Sequence, residues 1–173
     1  MGVLVRSKKI FSGKLLQIYL QRQRFPGGYT GDLEVIRHPG AALIVPFLDN
    51  NTVIFIRQYR PVINGYIWEL PAGTLNKKED ILFCAKRELK EETGYAAARW
   101  RKIGFIYPAP GYTTERIHIF TAASLKKVQT EKEEDEIIVT EMFSRNGVAR
   151  LFRAGKIVDA KTICALALTG VLG

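Results

Sequence analysis

The sequence is poor in the residues that build disulfides and structural metal sites. It has two cysteines and two histidines among 173 residues. Cys84 and Cys164 lie far apart and belong to no CxxC pair or Cys/His cluster, so neither a zinc site nor a disulfide framework is expected. Isolated cysteines on apolar stretches are typical of a reducing compartment, and we therefore expect a cytoplasmic protein.

Long hydrophobic runs are also missing. The amino terminus lacks the apolar stretch of a signal peptide, and Arg6 stands where a myristoylation motif requires Ser or Thr. The apolar run at 163–168 is too short to cross a bilayer, so no membrane contact is expected. Hydrophobic residues still make up 47% of the chain, which is enough for a core without cross-links.

The charge balance is strongly positive, with a formal net charge of +9. Such a charge attracts polyanions, including nucleic acid and phosphate-rich small molecules, but it is also compatible with ordinary solubility charge. No basic run is longer than two or three residues. A dedicated nucleic-acid surface is therefore not expected.

Short strands and a few helices, without strict alternation, predict an α+β fold. Turn signals and β-rich runs predict strands at 14–25, 33–37, 43–48, 53–59, 66–70, 100–107, 116–122 and 137–141. Capping residues and periodicity predict helices at 80–92, 145–153 and 160–168. Gly94 is expected to end the first helix, and Asp159 to cap the last.

The helix predicted at 80–92 carries carboxylates on its apolar side. At about 100° per residue, Glu92 falls inside the apolar stripe and Glu88 lies just outside its edge. A carboxylate that faces inward is costly unless a partner satisfies it. Because Glu88 and Glu92 are four residues apart, their oxygens could meet at one point that suits Mg²⁺. A solvated helix with surface salt bridges is the alternative at this point.

The spacing around this helix resembles the signature of the Nudix hydrolase family. That signature reads Gly, five residues, Glu, seven residues, Arg-Glu-apolar, one residue, Glu-Glu, one residue, Gly-apolar. Every fixed position is present, and Tyr95 stands where the family usually has an aliphatic residue. The matching residues are Gly73, Glu79, Arg87, Glu88, Leu89, Glu91, Glu92, Gly94 and Tyr95.

The resemblance implies a Nudix fold, with a mixed sheet between helices, and Mg²⁺-dependent hydrolysis of a nucleoside diphosphate linked to another group. Mn²⁺ is the alternative cofactor, and the number of ions is open. The implied metal ligands are the Ala72 carbonyl, Glu88, Glu92 and Asp135. The implied catalytic residues are Arg87, which orients a glutamate, together with Glu91, Glu92 and Glu133. Gly73, Glu79 and Gly94 are implied to be structural.

Segments outside the signature resemble the ADP-ribose pyrophosphatase branch of this family. They are the run 68–73, the strand end 56–61, and the loop 109–115, whose proline lies 15 residues beyond Tyr95. The branch implies hydrolysis of ADP-ribose to AMP and ribose 5-phosphate. The implied substrate-binding residues are Arg37, Arg60, Glu69, Pro110, Gly111 and Glu115.

Several alternatives stay open. The first alternative is a Nudix hydrolase for another substrate, such as GDP-mannose or an RNA 5′ end. The second is a non-catalytic ADP-ribose sensor, which the retained glutamates disfavour. The branch implies a homodimer built through an amino-terminal β element at 1–38, next to a main domain at 39–173. That element could instead be a plain edge sheet. The acidic run 131–136 could supply the base and a metal ligand, or be merely solvated.

Overall fold

The structure, a computed structural model, describes residues 1–13, 16–129 and 137–172. The predicted Glu133 and Asp135 lie outside these residues. The chain divides into two compact units. Unit 1 comprises Met1–Gly40 and Tyr107–Arg116, and unit 2 comprises Ala41–Ile106 and Ile117–Gly173.

Ten strands and three α-helices follow one another along the described residues. The strands are β1 (Val3–Ser12), β2 (Gln17–Arg24), β3 (Thr30–Arg37), β4 (Ala41–Pro46), β5 (Thr52–Arg60), β6 (Gly65–Glu69), β7 (Ala72–Thr74), β8 (Tyr95–Ile106), β9 (Ile117–Lys127) and β10 (Ile138–Ser144). The helices are α1 (Ile81–Thr93), α2 (Arg145–Arg153) and α3 (Ala160–Leu168), and a short 3₁₀ turn covers Pro61–Ile63. Within the described ranges, no helix has the length and apolar character needed to span a membrane.

Unit 1 is built on an antiparallel sheet in the order β1-β2-β3. Strand β1 was not predicted from the sequence. All ten of its residues are exposed, so it has no buried face and gives no alternation of apolar and polar residues to detect. The segment 107–116 joins this unit beside the end of β3, where the Ile36 N–H donates to the Tyr112 carbonyl at 2.7 Å.

Unit 2 contains two sheets. The first is mixed, in the order β7-β4-β9-β8, with β4 and β9 parallel and the other pairs antiparallel. The second is antiparallel, in the order β10-β5-β6. Strand β7 was missed because Pro71 reads as the end of a strand and only three residues follow in the ladder.

Strand β4 is buried on both faces, and successive residues enter different hydrophobic clusters. Leu43 and Val45 pack in the cluster that contains Ala165 and Leu166 of α3. Ala42 and Ile44 pack in the cluster that contains the buried residues of α1, namely Cys84, Ala85 and Leu89. Helices therefore cover both faces of the mixed sheet, which confirms the predicted α+β architecture.

The predicted helices agree closely with the observed ones, whereas strands β8 and β9 each extend five residues beyond one predicted end. Strand β8 begins at Tyr95, directly after Gly94, because the weak β-formers Ala96 and Ala97 still pair with β9. Strand β9 continues to Lys127 through Ser124, which has a positive φ of 56°. Pairing with a neighbouring strand thus overrides the local preference at both places.

Candidate active site

Helix α1 is fixed at both ends by its own sequence. The Asp80 carboxylate accepts hydrogen bonds from the Leu82 and Phe83 N–H groups at 2.9 and 3.1 Å. At the other end Gly94 adopts a left-handed conformation, with φ of 73°, and its N–H donates to the Lys90 carbonyl. A residue with a side chain rarely adopts this conformation. The helix therefore ends at Thr93, one residue after Glu92.

The helix buries two of its carboxylates, Glu92 as its place in the apolar stripe predicted and Glu88, which the wheel placed just outside that stripe. Glu88 is 9% exposed and Glu92 is 4% exposed, beside the apolar Ala85 and Leu89. The opposite side carries Lys86 and other exposed residues. Buried carboxylates require partners: Glu92 accepts a hydrogen bond from the first residue of β7, and Glu88 pairs with Arg87.

The carboxylates of Glu88 and Glu92 converge on the backbone of Ala72 and Gly73. The Ala72 N–H donates to Oε2 of Glu92 at 2.9 Å. A Cβ atom built on Gly73 would overlap the Glu88 carboxylate, so only glycine leaves room for it. The turn itself is held against β4, where the Ile44 N–H donates to the Pro71 carbonyl at 2.9 Å.

Arg87 binds three glutamates at once. Its Nε lies 2.9 Å from Oε1 of Glu79, and its Nη1 lies 2.7 Å from Oε1 of Glu88 and 2.9 Å from Oε2 of Glu91. Glu79 also accepts a hydrogen bond from the Asn76 N–H at 2.8 Å. The arginine therefore ties the loop before α1 to two glutamates of the helix.

The electrostatics of the cluster follow from these contacts. The hydrogen bond from Arg87 lowers the pKa of Glu79 below its ordinary value. In turn, the hydrogen bond to Glu79, with Glu88 and Glu91, raises the pKa of Arg87 despite its partial burial. Burial, with the charges of Glu88 and Glu79, raises the pKa of the Cys84 thiol to about 12. Cys84 is consequently a neutral core residue.

Arg60 and Glu69 form a second polar cluster of unit 2. Glu69 ends β6, with its side chain 3% exposed, and Arg60 binds both carboxylate oxygens through Nε and Nη2. Burial opposes the charge on Arg60, but Glu69, with smaller effects from Glu92 and Asp159, raises the pKa of Arg60. Arg60 thus lies within electrostatic reach of the Glu92 carboxylate of α1.

The substrate residues predicted in unit 1 are distributed over three places. The Arg37 guanidinium stacks on Tyr19, with 4.0 Å between the guanidinium carbon and the ring centroid. Pro110 and Gly111 form an exposed turn whose following N–H groups donate to the Ala109 carbonyl. Glu115 lines a separate cavity of unit 1.

That cavity has a volume of about 400 Å³ and is lined partly by Ile36, His38 and Glu115. Nδ1 of His38 accepts a hydrogen bond from the Gly40 N–H at 3.1 Å. Glu115 lies 3.8 Å from the same atom, which is too long for a hydrogen bond.

The carboxylates of α1 determine whether this cluster can hold a divalent cation. Among the residues described, no group of three or more His, Cys, Asp or Glu side chains is arranged to hold a metal. Glu88 and Glu92 nevertheless offer carboxylate oxygens beside a backbone turn kept open by Gly73. Hard oxygen donors of this kind, with water and substrate phosphates completing the shell, suit Mg²⁺. The metal-binding assignments, including that of Asp135, stay predictions.

Two polar residues near Arg60 were not predicted as site residues from the sequence. Lys161 binds Glu69, and Gln58 has a buried Oε1 without a hydrogen-bond partner among the described residues. Gln58 lies on the same face of β5 as Arg60, two residues away. In the sequence, the available signal for Gln58 was its alternation with Ile56 and Arg60, which puts a polar residue on the same strand face as both.

Comparison with known proteins places the chain among nucleotide-cleaving relatives. The NUDIX domain family matches residues 37–166. An ADP-ribose pyrophosphatase of Bacillus subtilis is 34% identical over 164 residues, which cover 94% of this chain and 89% of the relative. A GDP-mannose pyrophosphatase of Salmonella typhimurium is 34% identical over 152 residues, covering 77% and 78%.

A solved structure shares the fold. It is described as an ADP compounds hydrolase, and it superposes with a TM-score of 0.85 at 23% sequence identity. The match covers 98% of this chain and 92% of the other.

Replacing Gly73 with alanine is expected to damage the site, because the added Cβ would overlap the Glu88 carboxylate. We expect a loss of about 1–3 kcal/mol in the free energy of unfolding, as is usual for overpacking, together with weaker Mg²⁺ binding in calorimetry. Gly104→Ala is the matched control, since a Cβ there meets nothing within 4 Å. Equal effects of the two substitutions would contradict the close approach.

The ion pair of Glu79 with Arg87 is expected to make stability depend on acid pH. Because the folded pKa of Glu79 lies below the ordinary value of 4.5, its contribution is complete above that pH. It is lost as the pH falls through the lowered folded pKa. In urea unfolding between pH 7 and pH 3, the free energy of unfolding of Glu79→Gln should fall less steeply with decreasing pH than that of the native protein. Glu34→Gln, on the exposed surface of β3, should leave the slope unchanged.

Proposed function

The chain belongs to the Nudix family, and we propose that it hydrolyses the pyrophosphate bond of ADP-ribose to give AMP and ribose 5-phosphate. The observation that carries the proposal is the convergence of two buried glutamates, Glu88 and Glu92, on Ala72 and Gly73 at the start of β7. The likeness to an ADP-ribose pyrophosphatase over 94% of the chain supports this choice of substrate.

We assign the metal to Glu88, Glu92 and the Ala72 carbonyl, with Asp135 as a further ligand. Mg²⁺, or Mn²⁺, would neutralise charge on the phosphates and make a bound water nucleophilic. Arg87 holds Glu88 and Glu91 through one Nη1 atom and so restricts the orientation of both carboxylates.

The proposed base that accepts the proton of the attacking water is one of three glutamates. Glu91 is partly exposed on α1, and Glu92 is buried beside Ala72. Glu133 is the third candidate. Of the two described candidates, Glu91 keeps one oxygen beyond the atom that Arg87 contacts, which leaves it able to take a proton.

We propose that Arg60 binds the diphosphate of the substrate. Its side chain is 39% exposed, and one edge of the guanidinium is already bound to Glu69, so the remaining N–H groups point away from that partner. In unit 1 we assign Arg37, Pro110, Gly111 and Glu115 to the substrate as well. The cavity that Glu115 lines with His38 offers polar groups suited to sugar hydroxyls.

GDP-mannose is the second candidate substrate, because a GDP-mannose pyrophosphatase is as similar in sequence identity as the ADP-ribose relative. Both substrates have a diphosphate between a nucleoside and a sugar. The reacting bond is the same, and the difference lies in the base and the sugar. An RNA 5′ end is a third possibility, which the +9 net charge favours.

We propose a cytoplasmic homodimer. Both cysteines are free, which agrees with a reducing compartment. Strand β1 is a long edge strand that exposes Val3, Leu4, Val5 and Ile10, and exposed apolar strands of this kind usually pair with another chain.

Association through β1 is expected to be visible in solution. Sedimentation equilibrium at micromolar concentration should give the mass of two chains, and Val5→Lys with Ile10→Lys should shift the equilibrium to monomer. Lysines at Val62 and Ile63, which are exposed in unit 2, provide a control of equal charge. A monomer in the unmodified protein would exclude the dimer.

A substrate panel tests the proposed activity. Hydrolysis of ADP-ribose, GDP-mannose and triphosphate-ended RNA is measured with Mg²⁺ and again after chelation. We expect ADP-ribose to be cleaved with the highest kcat/KM, and cleavage to stop without the metal. Brisk cleavage of another substrate with negligible cleavage of ADP-ribose would refute the choice of substrate.

The role of the α1 carboxylates is tested in the same assay with Glu92→Gln. This change keeps the shape of the side chain and the acceptor for the Ala72 N–H, but it removes the charge. We expect kcat to fall by more than about 100-fold, since losing a residue that merely supports a metal ligand typically costs 10–100-fold. Lys86→Gln, on the exposed side of α1, is the matched control. Full Mg²⁺-dependent activity in Glu92→Gln would exclude Glu92 as a ligand.

A further inference from the structure

The Glu69 carboxylate is almost fully buried and binds two cations. Besides Arg60, it contacts Lys161, whose Nζ lies 3.0 Å from Oε1. Oε1 also accepts from Nε of Arg60 at 3.2 Å, while Oε2 accepts from Nη2. One oxygen of Glu69 is therefore shared between Arg60 and Lys161, which fixes the plane of the carboxylate from two sides.

Lys161 is itself held in place by the start of α3. Its Nζ lies 3.0 Å from Oδ1 of Asp159, and Oδ2 of the same carboxylate caps the helix by accepting from the Thr162 N–H at 3.0 Å. The Lys161 side chain is only 19% exposed. Its ammonium group thus has two fixed carboxylate partners in a partly buried setting, where such contacts are stronger than at the surface.

A second contact joins the same turn of α3 to β6. The Leu70 N–H donates to Oγ1 of Thr162 at 2.9 Å, and both groups are buried. This bond anchors the backbone after Glu69 without touching the Glu69 carboxylate. Thr162 therefore binds the backbone at Leu70, whereas Lys161 binds the Glu69 side chain, which in turn binds Arg60.

We propose that Lys161 is a positioning residue for Arg60, acting through Glu69, and that Asp159 holds Lys161 for this task. A second cation on Glu69 leaves part of the charge of Arg60 uncompensated, and this charge is available to an anionic ligand. The fixed carboxylate also sets the direction of the free edge of the guanidinium. The inference rests on the proposed binding of a substrate diphosphate by Arg60.

The test is a double-mutant cycle between Lys161 and Arg60, measured with whichever nucleotide of the substrate panel is cleaved fastest. Lys161→Met keeps the length of the side chain and removes the charge. We expect KM to rise on the order of tenfold, a usual coupling for contacting residues, and kcat to change less than about twofold, since Lys161 does not touch the reacting bond. Lys161→Arg keeps the cation and should restore most of the native KM.

The coupling distinguishes positioning from a structural role. In an Arg60→Met background, adding Lys161→Met should raise KM by less than about twofold, because the residue through which it acts is gone. Thr162→Val is the structural control: it removes the other contact of α3 with β6, and should lower Tm while KM stays native.

Two results would overturn the inference. One is a KM effect of Lys161→Met that multiplies independently with that of Arg60→Met. The other is an equal shift of KM and Tm in Lys161→Met and Thr162→Val. An unchanged KM in Arg60→Met would refute the role of Arg60 and, with it, that of Lys161. Failure of the ADP-ribose proposal is seen separately in the substrate panel, because the cycle does not depend on which nucleotide is used.

Discussion

The close approach of the Glu88 carboxylate to the backbone of Gly73 is the constraint on which the rest of the site depends. It requires glycine at one position, a helix with a buried acidic face, and a short strand that lies directly on that helix. The bond from the Ala72 N–H to Glu92 supplies the second point of attachment. Two contacts one helical turn apart define both the distance and the direction of α1 relative to β7.

Arg87 solves the electrostatic problem that this packing creates. Four glutamates between residues 79 and 92 would repel each other if they were brought together alone. The guanidinium has five N–H groups in a planar fork, and it contacts Glu79, Glu88 and Glu91 simultaneously. A lysine could not make this set of contacts in fixed directions. An arginine beside Glu88 in the helix therefore both neutralises the clustered glutamates and holds their carboxylates in fixed directions.

The sequence was sufficient for the parts of the molecule whose local signals agree with their tertiary setting. Helix α1 could be predicted with its C-terminal cap and its buried Glu92, because Gly94 and the apolar stripe favour the same helix. Strand β1 could not, because exposure on every residue leaves no periodic pattern. The cluster of Arg60, Glu69, Lys161 and Asp159 spans 101 positions of sequence, and no local pattern reports a contact over that separation.

The double burial of β4 has an evolutionary consequence. Each of its six residues is buried, and neighbours along the strand belong to different clusters, so a substitution of any one disturbs one side of the mixed sheet or the other. Substitutions that preserve the fold are expected in exposed parts of the chain, such as β1 and the turn at Pro110. Substitutions on these surfaces can therefore alter what the protein recognises without disturbing the scaffold that holds the glutamates.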